Sequence, residues 1–154
     1  MTTKTKAYDF PLSLRWLAGR RTLVSIQGKD ELEVAPPPEF KGGVEGVWSP
    51  EDLLVGSIAS CFAVTLLRIA DQRAVPLRGL DVNASGHVTQ RDDGRFGFTE
   101  TVLRVVVDTE AGCEAEVAAA AEVAEQGCLV ACSLDFPVRI ELDIRLAPLM
   151  EAAL

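Results

Sequence analysis

Fifteen consecutive residues, Leu53 to Leu67, carry no charge, and a chain has to bury such a stretch against something. It is preceded by Ser49-Pro50-Glu51-Asp52, which reads as a helix start. Ser49 can accept from free first-turn N–H groups, Pro50 suits the first helical position, and Asp52 stands at capping-box spacing. Ile58, Cys61, Thr65 and Ile69 then recur every three or four residues and share a face, with Leu54 one turn earlier and Phe62 and Leu66 widening it. The spacing predicts a helix to about Arg73, ended by Ala74-Val75-Pro76. A membrane span needs about 20 apolar residues, so the expectation is a buried core helix and no membrane partner.

The flanking segments supply what this helix would pack on. Phe10, Leu12, Leu14 and Trp16 alternate within 8–17, with Pro11 pointing to an edge strand. After a turn at Gly19-Arg20-Arg21 come Leu23–Ile26 and, past Gln27–Asp30, Glu31–Val34, a hairpin pattern. Ala35 to Trp48 is a Pro- and Gly-rich loop without regular structure, with Phe40, Val44 and Trp48 as apolar anchors, placed where it can border a pocket. Beyond the helix, Leu80–Val88 and Phe96–Val107 read as strands joined by the turn Arg91-Asp92-Asp93-Gly94. Glu114–Glu125 is alanine-rich and helical, with Gly127 as its stop, and Val138–Leu146 alternates cleanly. Residues 1–7 read as a tail, and the stretch after Pro148 as a short helical turn or a frayed end. The expected class is α+β, antiparallel sheet covered by helices, in a single domain over 1–154 with its core at about 8–146. Exposed N-terminal strands and the breadth of the apolar helix predict dimerisation.

Net charge is -8, from 23 acidic against 15 basic residues, with no basic cluster to follow a phosphate backbone; nucleic acid is not an expected partner. Lys4 and Lys6 are followed by no apolar run before Asp9, so no secretory signal is read and a cytoplasmic location is expected. In that reducing compartment Cys61, Cys113, Cys128 and Cys132 are not expected to form structural disulfides. Nor do they have zinc-site spacing: Cys128-x-x-x-Cys132 lacks a second close pair, and His87 is the only histidine, which also removes any His-based triad. No metal or cofactor is expected.

That leaves thiol chemistry. Read alone, Cys61 is a small apolar residue on a buried face, and packing and chemistry are both open to it. A peroxide-reducing thiol must be a thiolate, favoured by an arginine that a carboxylate holds in place, and its sulfenic acid is resolved by a second thiol. Cys61, Cys128, Glu51 and the Arg20-Arg21 pair are of the right types. Their bland readings are helix capping for Glu51 and a solvated turn for the arginines. Cys113, after Gly112 at a helix start, reads as packing, with a lowered pKa the alternative there, and His87 as a strand-surface or interface residue. Trp16, Phe40 and Trp48 could line a substrate mouth or pack in a core or dimer interface.

The run from Ser49-Pro50-Glu51 through Ala59-Ser60-Cys61-Phe62 resembles the signature helix of the OsmC/Ohr family, the osmotically inducible and organic hydroperoxide resistance proteins. Ala124-Glu125-Gln126-Gly127-Cys128, 67 residues after Cys61, resembles the family's second cysteine region. The element order over 8–146 is also similar. The resemblance implies an OsmC-like fold in an intertwined homodimer and a thiol-dependent peroxidase acting on organic hydroperoxides or hydrogen peroxide. It makes Cys61 the peroxidatic thiol, Cys128 the resolving thiol and Glu51 the motif glutamate. Arg21 best fits the family's arginine, with Arg20 a close rival. A dithiol, such as a lipoylated protein, would be the reductant. The alternative on the same fold is a non-enzymatic binding protein for a small hydrophobic ligand. Cys128-Leu129 in place of Cys-Pro, the Pro36-Pro37-Pro38 run and the extra Cys132 resemble a general OsmC-like branch.

Overall fold

The computed structural model describes residues 6–147; the tail readings at 1–5 and after Ala147 lie outside them. Along the chain run β1 (Ser13–Ala18), β2 (Arg21–Ser25), β3 (Leu32–Val34), α1 (Pro50–Gln72), β4 (Leu77–Gln90), β5 (Phe96–Thr109), α2 (Glu114–Gly127), a 3-10 turn (Ala131–Ser133) and β6 (Val138–Leu146). The expected α+β order is present, as two compact units, one reaching to Leu53 and one beginning at Leu54.

In the first unit β1, β2 and β3 form an antiparallel sheet in that order. β1 begins at Ser13 rather than near Tyr8, so Phe10 and Leu12 precede it. Pro11 has no N–H for a ladder and restricts Phe10, which delays pairing. All six residues of β1 are exposed. The 35–48 loop is tied by the Phe40, Gly43 and Val44 N–H groups, which donate to Pro37, Phe40 and Pro36 carbonyls at 3.0, 2.9 and 3.1 Å. A Cβ on Gly43 would lie 2.0 Å from the Pro37 oxygen, so this turn needs glycine. At the start of α1 the capping box forms reciprocally: Asp52 N–H donates to Ser49 Oγ at 3.0 Å, and Ser49 N–H to Asp52 Oδ2 at 2.8 Å.

In the second unit β4 and β5 pair antiparallel from Leu80↔Val107 to Gln90↔Phe96, across a turn where Gly94 takes φ 82°. Both strands run longer than expected, to Leu77–Gln90 and Phe96–Thr109. β6 pairs with β5 in parallel, from Thr101↔Val138 to Thr109↔Leu146. This corrects the expectation of a purely antiparallel sheet. α2 is a crossover that returns the chain to the end where β5 began, and alternation reports which side chains face inward but not which way a strand runs. The inward row of β6, Val138, Ile140, Leu142 and Ile144, alternates with exposed Arg139, Glu141, Asp143 and Arg145 as expected. Outward, Arg104 Nε reaches Glu141 Oε2 at 3.0 Å.

Ile58, Phe62, Leu66, Ile69 and Ala70 of α1, Val117, Ala120, Ala121 and Ala124 of α2, and Leu103, Val105 and Val107 of β5 form one core. The alanines of α2 have a packing reason: small side chains let that helix lie close. By length and composition α1 could cross a bilayer, and the same properties suit a core helix, the role these five buried residues give it. α1 closes with Val75 N–H donating to Ala70 O at 2.9 Å and Ala74 N–H to Asp71 O at 3.1 Å, with Ala74 at φ 53°. This is a Schellman end with alanine where glycine is favoured. Left-handed alanine costs about 1–2 kcal/mol and glycine's extra chain entropy about 0.5–1. Ala74→Gly should therefore stabilise by up to about 1 kcal/mol, read as a higher midpoint in urea unfolding; a lower midpoint would contradict it. The α2 end differs from expectation. Gly127 is its last residue, and Cys128 is the cap, in extended conformation at φ -71°, ψ 105°.

Candidate functional site

α1 sets Cys61 and Thr65 one turn apart on its inner face. α2 ends at Gly127 and delivers Cys128 as its cap. The chain then coils tightly: Cys132 N–H donates to Cys128 O and Ser133 N–H to Val130 O, each at 3.0 Å. This coiling leaves the leading N–H groups of the turn free, as at any helix start. The Val130 and Leu129 N–H groups point at the Cys61 sulfur, and the Ala131 N–H at Cys128. Such a run of convergent amides is an anion-binding nest. The two thiols are within hydrogen-bonding reach of each other, and both are free.

The pair is electrostatically unequal. Burial pushes Cys61 up, but hydrogen bonds from Val130 N–H, the Cys128 thiol, Leu129 N–H and the Thr65 hydroxyl outweigh it, and Cys61 lies below the ordinary thiol range. Burial pushes Cys128 up, the Ala131 N–H opposes that, and the neighbouring Cys61 raises it further. Cys61 is thus the more readily ionised thiol of the pair, and Cys128 is the one placed to donate to it.

A cavity of about 230 Å³ is walled by Ile58 and Phe62 of α1, Leu103 of β5 and Phe136, with Glu125, Cys128 and Cys132 also in its lining; of the Cys61–Cys128 pair it is Cys128 that faces it. Phe136 is held by stacking on Phe98 at 5.7 Å. Phe98 in turn occupies space that only glycine at position 86 leaves open, since a Cβ there would lie 2.5 Å from its ring.

Glu51 is in the first turn of α1, its Oε2 buried without a hydrogen-bond partner. Arg21, on β2, is ion-paired with Glu33 of β3, and Arg20 donates to the Lys41 carbonyl. Trp16, Phe40 and Trp48 are half to mostly exposed, and the walls of the cavity come from other residues. His87 is an exposed strand residue, as expected; Cys113 precedes α2 and makes no side-chain cap. Among the described residues no three His, Cys, Asp or Glu side chains converge as a metal site requires. The Thr65 hydroxyl and the 129–130 amides were not anticipated. Thr65 left one trace, a hydroxyl on an otherwise apolar face.

Against known proteins, residues 43–143 match the family model for OsmC-like proteins. The chain belongs to that family. Among its relatives is the uncharacterised protein YmaD of Bacillus subtilis, 23% identical over 142 residues, covering 88% of this chain and 93% of that one. An OsmC-like protein of unknown function from Vibrio cholerae has the same fold at TM-score 0.79 and 20% identity, over 88% of this chain and 99% of that one. An organic hydroperoxide resistance protein from Elizabethkingia anophelis superposes at TM-score 0.74 with 22% identity, over 94% and 100%. At these identities the likeness is one of fold.

Proposed function

We propose that this OsmC-like protein is a thiol-dependent peroxidase that reduces organic hydroperoxides through Cys61. The observation that carries the reading is the Cys61 sulfur, surrounded by hydrogen-bond donors, beside a second thiol, Cys128, that lines a largely apolar cavity. The Cys61 thiolate attacks the terminal peroxide oxygen. The O–O bond breaks, the alkoxide leaves and takes a proton as the alcohol, and Cys61 becomes a sulfenic acid. The Cys128 sulfur then attacks Cys61, water leaves, and a Cys61–Cys128 disulfide forms. A dithiol returns both to thiols; a lipoylated protein fits that chemistry.

Glu51 and an early arginine complete the reading. The unpartnered Glu51 Oε2 is the acceptor an arginine would use, with Arg21 as first candidate and Arg20 as second. The functional form is a homodimer. Leu14 and Trp16 on β1 are exposed apolar residues in the first unit, and Val64 and Leu67 on α1 are exposed apolar residues in the second; a second copy would cover them. The shared fold with an organic hydroperoxide resistance protein is consistent with this reading.

The apolar cavity sets the substrate preference. At about 25 cal/mol per Å², a cumyl group burying about 100 Å² gains about 2.5 kcal/mol over hydrogen peroxide. With dithiothreitol as reductant, cumene hydroperoxide should be consumed about tenfold faster than hydrogen peroxide or better. Consumption of neither, by folded and reduced protein, would overturn the peroxidase reading in favour of a binder of small hydrophobic ligands in the same cavity.

A further inference from the structure

Cys132 is unused by the scheme above, yet it lies in the cavity lining beside Cys128. The two differ sharply in access: Cys128 is 1% exposed, whereas Cys132 is exposed. They are also one turn apart. The Cys132 N–H binds the Cys128 carbonyl at 3.0 Å, and the Cys132 thiol leans back along the chain to donate to the Gln126 carbonyl at 3.4 Å. Both cysteines line the same cavity, at the two ends of that short turn. A disulfide wants Cβ atoms about 3.5–4.5 Å apart, so the bond requires the turn to rearrange around the extended Cys128.

We propose that Cys132 is a relay thiol that carries the oxidation from the buried pair to the surface, where a dithiol reductant removes it. The proposal rests on the peroxidase reading for its physiological oxidant but not for its test. The Cys132 thiolate attacks Cys128 of the Cys61–Cys128 disulfide. The Cys128–Cys132 bond forms, the Cys61–Cys128 bond breaks, and Cys61 leaves as a thiolate, while the proton shed by Cys132 goes to solvent. No net oxidation occurs in this step. The incoming dithiol then attacks Cys132, expels Cys128, closes its own disulfide and leaves all three thiols reduced.

Access and leaving ability both favour this route. Direct attack by a bulky dithiol on Cys128 is blocked by burial, whereas Cys61 is half-buried and Cys132 is exposed. Attack at Cys128 expels Cys61, which lies below the ordinary thiol range and is the better leaving group; attack at Cys61 would expel Cys128, which lies above it.

The full-length protein, oxidised in separate samples with diamide and with one equivalent of cumene hydroperoxide, decides the matter. Remaining thiols are trapped with N-ethylmaleimide and located by peptide mass. Relay predicts two populations: Cys132 labelled where Cys61–Cys128 persists, and Cys61 labelled where the bond has moved to Cys128–Cys132. In Cys132→Ser and Cys132→Ala the Cys61 label should vanish, and dithiothreitol should reduce the disulfide about tenfold more slowly. Wild-type label at Cys132 alone at all times, or equal reduction rates in the Cys132 variants, would overturn the relay. Failure of the peroxide sample alone counts against the peroxidase reading, because the diamide sample still reports the exchange.

Discussion

Cys61→Ser should lower peroxide consumption by about 10³-fold or more, because a serine hydroxyl is not ionised where the Cys61 thiolate is. Serine preserves the size of the side chain, so the core around Ile58 and Phe62 should stay intact, and a circular dichroism spectrum checks that it does. Cys128→Ser should behave differently. Its first oxidation proceeds, but no second thiol stands beside Cys61 to close the disulfide. The sulfenic acid should persist long enough for dimedone to capture it, and further peroxide should drive it to the irreversible sulfinic acid. Mass spectrometry of the Cys61 peptide distinguishes the three outcomes. Wild-type turnover in Cys61→Ser would end the case for Cys61, and wild-type turnover without adduct in Cys128→Ser would end the case for Cys128.

Val130→Pro should raise the pKa of Cys61 by about one unit. Val130 already has φ -68°, close to the value proline imposes, and the backbone bonds of its turn are donated by Cys132, Ser133 and Leu134. The substitution therefore removes a donor to the Cys61 sulfur without removing one of those bonds. A hydrogen bond to a charged group contributes about 1.5–3 kcal/mol, and one pKa unit is about 1.4 kcal/mol. The sign follows from thiolate reactivity. Cys61 lies below the ordinary thiol range, so its alkylation rate falls only as pH drops through that lowered value. Losing the donor moves the fall to higher pH, and at pH 7 the rate should drop by up to about tenfold. Thr65→Val, which removes a hydroxyl donor and leaves the backbone alone, should shift the profile the same way by less. The readout is the pH dependence of bimane labelling of the Cys61 peptide. Unmoved profiles in both variants would mean that these donors do not set the reactivity of Cys61.

The dependence on Val130 also explains how much of the site was legible in the sequence. The α1 start was readable from Ser49-Pro50-Glu51-Asp52 because capping is local chemistry over four residues, and the reciprocal Ser49–Asp52 bonds form as expected. The inner face through Ile58, Thr65 and Ile69, and the alternation of Val138–Leu146, follow from periods of 3.6 and 2 that the backbone imposes. The two cysteines were legible as a pair through the resemblance of their flanking segments. The donors to Cys61 were not. Backbone N–H groups are identical at every non-proline residue, so no residue type marks Leu129 and Val130 as the amides that face a sulfur. Carboxylate and arginine side chains are conspicuous in a sequence, which is why Glu51, Arg21 and Arg20 were legible as candidates where the backbone amides were not.

By itself, the sequence determined the class and order of elements, the ends of α1 and the inward faces, because each depends on residues close together in the chain. Only the tertiary structure decided that β6 runs parallel to β5 and that the Leu129–Val130 turn closes over Cys61. It also decided that Phe62, Leu103 and Phe136 wall a cavity that Cys128 and Cys132 both line. These depend on contacts between segments far apart in the chain, whose geometry is settled by how the whole core packs and not by any local pattern.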